Sequence, residues 1–145
     1  MSQEAEIDLS APNPYLTPGV HLWRVDKAER GVSKSSGNDQ ITVAFSRVDS
    51  PGTKMKDYLT LSAGAYDSTR QKLLAFFPQG YKGSLADLAF QLIGVRVYAH
   101  TEVNDFQGNS SLRPIRGALT HNGYAPFVEG GPAPAGYVAP DDIPF

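Results

Sequence analysis

Cations and aromatic rings alternate at two places in this chain, with Lys56 and Tyr58 in one stretch and Arg96, Tyr98 and His100 in another. Side chains two residues apart on an extended strand share a face, so each set would set a positive charge beside a ring. A ligand that is both negatively charged and flat-faced suits such a surface. An unpaired polynucleotide is one: its phosphates attract Lys and Arg, and each base stacked on a ring contributes about 1 to 3 kcal/mol. Arg113 and Arg116 would lengthen the cationic track, and Lys34 and Phe106 fall in polar loop-like segments where a flexible strand is readily clamped. A phenylalanine within the polar run 104–109 has little structural reason to be there. An outward Tyr58 or Tyr98 is equally at home in a cross-strand pair on a wet surface. Trp23 completes the candidate set, although sharing a face with Val25 suits it better to a core than to a stacking platform.

Catalytic chemistry finds little footing. There is no Ser/His/Asp set, no His-x-x-x-His pair and no glycine-rich phosphate loop, so neither enzyme activity nor a cofactor is expected. Cysteine is absent, which removes disulfides and the commonest zinc ligands. The net charge of −2 conceals an asymmetry. Residues 9–121 hold all 13 Lys and Arg against 9 acids, a formal +4, while the two ends are acidic. A basic body with acidic extensions is compatible with a polyanionic partner. The first nine residues carry three acids and no apolar run, which does not read as a secretory signal, and a cytoplasmic location is expected.

The elements needed to hold these side chains are mostly strands. Residues 1–18 contain Pro12, Pro14 and Pro18 and read as an irregular leader. A first strand is expected over 20–30, a polar turn over 33–39, and a second strand over 40–48 in which Ile41, Val43 and Phe45 alternate with Thr42, Ala44 and Ser46. Ser50, Pro51 and Gly52 suggest the next turn, and 54–61 a third strand with Leu59 and Leu61 on one face and Lys56, Tyr58 and Thr60 on the other. The period then becomes helical over 66–77, with Pro78 as a stop; Ser84 would cap a second short helix ended by Gly94. A closing hairpin follows, with strands over 95–100 and about 110–117. From Asn122 onward Gly and Pro predict a flexible linker. Three strands, a helix and a hairpin are the order of the all-β, five-stranded Greek-key barrel known as the OB-fold, with the helix between strands three and four. The expected domain is 19–121, followed by a tail over 122–145.

The last five residues, Asp141, Asp142, Ile143, Pro144 and Phe145, resemble the tail tip of bacterial single-stranded DNA-binding proteins, which follows a Gly/Pro-rich linker. Pro140 departs from that pattern, where such tails commonly carry another Asp. The resemblance implies that Ile143 and Phe145 enter a small apolar pocket on a partner while the two aspartates and the terminal carboxylate meet basic residues around it. Residues 19–117 resemble a phage family of OB proteins of this type. Gly19 stands at the start of strand one, Lys34-Ser35-Ser36-Gly37-Asn38 leads into strand two, and a Leu/Phe-rich helix follows strand three. The family would make this a sequence-nonspecific binder and protector of single-stranded DNA in phage replication, recombination and repair, acting in the host cytoplasm and recruiting replication or recombination proteins through its tail. Homo-oligomerisation is left open, and the rival expectation is an OB-fold adaptor that binds other replisome proteins rather than DNA.

Overall fold

The computed structural model describes residues 16–137, so expectations for 1–15 and for the tip at 141–145 lie outside the described residues. The elements run β1 (Gly19–Val32), β2 (Asp39–Arg47), β3 (Ser50–Leu61), α1 (Tyr66–Phe76), α2 (Leu85–Leu92), β4 (Arg96–Phe106), β5 (Asn109–Pro114) and β6 (Tyr124–Pro126). The named strands pair antiparallel and form one sheet in the order β3-β2-β1-β4-β5, with β6 beside β5 along the same edge of β4 and a single parallel bridge joining Val20 to Tyr137. The sheet curls until β3 approaches β5, giving a half-barrel with two helices inserted between β3 and β4.

The alternation read from β2 holds as far as Phe45, with Ile41, Val43 and Phe45 buried and Thr42 and Ala44 only partly, but Ser46, expected on the outer side, is buried as well. β1 changes partners along its length. It pairs with β4 only as far as Arg24, opposite Arg96. A register shift between Val25 and Lys27 then bends it. At that bend Val25 bonds to the chain leaving α2, donating to the Val95 carbonyl at 2.9 Å and accepting from Gly94 at 2.8 Å. Gly94 has φ +87, a conformation that a side chain would strain. Ser84 caps α2 as expected, its hydroxyl accepting from the Asp87 amide at 3.2 Å.

Two expectations are corrected. The turn after β2 is at Val48 and Asp49, not at 50–52. Pro51 and Gly52 instead belong to an irregularity of β3 between the pairs Arg47–Ser50 and Ser46–Lys54. A bulge leaves residues unpaired, so the missing N–H of Pro51 is tolerated there. Ion pairing of Arg47 with Asp49 closes the turn.

The second correction moves the end of the folded unit. The chain does not become a free linker at Asn122: β6 adds to β4, and Tyr124 is 0% exposed. Its ring lies 6.0 Å from Phe45 and 5.2 Å from Phe76, and its hydroxyl donates to Asp57 at 2.7 Å. Lys72 donates to the same carboxylate at 3.0 Å. Gly123 (φ +98) admits the turn into β6, where a Cβ would lie 3.0 Å from the Ile115 carbonyl oxygen. Glycines that read locally as flexibility are here tight turns between anchored aromatics.

Trp23 is fully buried with Val25, Ile41, Val43, Phe45, Leu59 and Leu92, a core residue and not a platform for bases. His21 is buried near one end of β1, and its Nδ1 has no hydrogen-bond partner among the described residues. Burial, then the charge of Arg47, lower its pKa from the usual 6.5. The unfolded chain therefore takes up this proton at higher pH than the native one. The stability contributed by neutral His21 is fully present above about pH 6.5 and is lost as pH falls through the lower native value. Thermal midpoints should drop between pH 7.5 and 5.5, and His21→Asn should flatten that dependence; an unchanged profile in the variant would exclude His21 as its source.

Candidate nucleic-acid interface

The outward face of β3 carries Lys54, Lys56 and Tyr58, while Met55 and Leu59 point into the core. Across the ladder, Ala44 stands opposite Lys56 and Thr42 opposite Tyr58. Such short neighbours cannot cover the ammonium or the ring, and Tyr58 is 55% exposed. Where β3 and β5 approach without a ladder between them, a groove of about 510 Å³ opens, with a lining that includes Lys54, Lys56, Asp57, Tyr58, Ser111 and Arg113. Arg113 is steadied by Glu102, to which its Nε donates at 3.0 Å. Lys56 has no ion-pair partner among the described residues.

Tyr58 also lines a second groove, of about 560 Å³, with residues that include Glu29, Arg30, Lys34, Gln40 and Thr42. The fold thus brings together Lys34, Lys56, Tyr58 and Arg113, four of the residues picked out by type and spacing. The ring stands between the two grooves with cations on either side. Such an arrangement can neutralise phosphates and stack a base without reading its edge.

The other set is not available in the same way. Tyr98 is only 5% exposed because Phe127 and Tyr137 pack edge-on against it, with centroids 5.7 and 5.1 Å away. Burial raises the pKa of its hydroxyl. Arg96 lies 4.6 Å from the Phe127 ring centroid and pairs with Glu129 at 3.2 Å. His100 is half-buried on the same covered face, its backbone N–H donating to the Gly123 carbonyl. Arg116 is exposed in a turn beyond β5. Phe106 ends β4 opposite Asn109, at the β4–β5 hairpin; its side chain lies outside the description.

Lys54 was missed in the sequence, although the two-residue period that selects Lys56 and Tyr58 selects it too. Among the described residues no three His, Asp or Glu side chains converge as metal ligands would. A cavity of about 680 Å³, larger than either groove, is elsewhere, between α1 and α2, with a chiefly apolar wall including Leu73, Leu74, Phe77 and Leu85. Its lining lacks the outward strand cations, so size alone does not mark the interface. Among the described residues no helix is long and apolar enough to cross a membrane.

No known family model matches the chain, and no curated protein is significantly similar to it in sequence.

Proposed function

We propose that this chain binds single-stranded DNA with little sequence preference, along the two grooves that meet at Tyr58. The carrying observation is the convergence of Lys56, Tyr58 and Arg113 on one groove although β3 and β5 are far apart in sequence. The sheet order, with helices between β3 and β4, supports reading the fold as an OB-type barrel, whose open face and loops commonly hold oligonucleotides. The sequence resemblances extend the proposal to a phage protein of replication, recombination and repair, with Asp141, Asp142, Ile143, Pro144 and Phe145 as the site that recruits partner proteins.

Anisotropy of a labelled oligothymidylate, titrated at two salt concentrations beside a duplex of equal length, tests this. An extrinsic label is needed because Trp23, the one tryptophan, is wholly buried. Single strands should bind more tightly than duplex, and each phosphate neutralised should steepen the fall of log affinity with log salt by roughly 0.7. No binding at low salt would favour a protein-binding adaptor instead.

A further inference from the structure

A row of side chains crosses the outer face of the sheet. Arg96 on β4 stands opposite Arg24 on β1, Arg24 opposite Ser46 on β2, and Ser46 opposite Lys54 on β3. Directly opposed residues of antiparallel strands share a face, so three cations and a hydroxyl lie in register over four strands. Two arginines placed opposite each other repel unless anions lie between or beside them. One anion is built in: Asp26, at the bend of β1, accepts from Ser46 at 3.0 Å and Arg24 at 3.3 Å and lies 3.6 Å from Lys54. The other, Glu129, comes from the turn after β6, and its side chain is 83% exposed while it pairs with Arg96. Arg24, Ser46 and Arg96 share a depression of about 440 Å³. Lys54, at the far end of the row, also lines the groove that holds Tyr58.

We propose that this row is a further phosphate-binding segment for the same single strand, and that Glu129 occupies the phosphate position on Arg96 until the strand displaces it. The proposal rests on the single-strand reading above. The row continues the path from the Tyr58 groove through Lys54 and Arg24 to Arg96, across three inter-strand spacings, or about 14 Å. An exposed ion pair such as Arg96–Glu129 is weak and readily exchanged. A phosphodiester offers the guanidinium the same paired oxygens as a carboxylate. Phe127 can remain against Arg96 throughout, so only the Glu129 side chain must leave.

The test uses the full chain and a labelled oligothymidylate of about twenty nucleotides, titrated at several salt concentrations. Arg24→Gln and Arg96→Gln should each weaken binding by about five- to tenfold at low salt and lower the salt slope by roughly 0.7. Glu129→Gln should tighten binding by about two- to fivefold, and that gain should vanish when Arg96→Gln is also present. Thermal unfolding of each variant separates lost contacts from lost fold, and Arg96→Gln supplies the readout if Arg24→Gln does not fold. Wild-type affinity and slope in both arginine variants would overturn the row and leave the Tyr58 groove standing. A Glu129→Gln gain that persists without Arg96 would overturn the exchange. Wild-type protein that binds no single strand at all would remove the functional reading and the row together.

Discussion

Ending the chain after His121 is expected to abolish cooperative folding. The shorter chain lacks Tyr124, which fills the space between Phe45 and Phe76 and satisfies Asp57. Truncating one buried aromatic ring costs about 3 to 5 kcal/mol. Three ladder positions on β4 and the cover over Tyr98 would go as well. A domain's total stability is about 5 to 15 kcal/mol, so the combined loss is comparable with the whole. Far-UV circular dichroism with thermal melting reads this directly. Equal melting of the chain ending at 121 and the full chain would show that β6 is dispensable.

Tyr58→Ala should weaken single-strand binding by roughly five- to 150-fold, the equivalent of about 1 to 3 kcal/mol for one stacked base. Its effect on stability should stay within about 0.5 kcal/mol, since the ring is largely in solvent and faces Thr42. Retained affinity in Tyr58→Phe would assign the contribution to the ring and not to the hydroxyl. Wild-type binding by Tyr58→Ala, measured by the same anisotropy titration, would show that no base stacks there.

Strand periodicity, a local property of neighbouring residues, was sufficient to place Ile41, Val43 and Phe45 inward and Lys56 and Tyr58 outward. The Ser84 cap was likewise legible, because its hydroxyl bonds only three residues ahead. Turn chemistry misled at Ser50-Pro51-Gly52, where a bulge tolerates the residues that ordinarily mark a reversal. Composition misled between Asn122 and Tyr137. Glycine and proline describe what a backbone is free to do, not whether Tyr124, Phe127 and Tyr137 will find surfaces to cover.

Lys56-Asp57-Tyr58 and Arg96-Val97-Tyr98 are nearly the same phrase in sequence: a cation, an inward residue and a ring. Each pattern by itself determined that the cation and the ring share the outer face of a strand, because successive side chains alternate sides. Only the tertiary structure decided that Tyr98 is roofed by Phe127 and Tyr137 while Tyr58 remains beside a groove with Lys56 and Arg113. The physical reason is that a side chain's direction is set by its own backbone, whereas its exposure depends on what distant segments of the chain come to lie upon it.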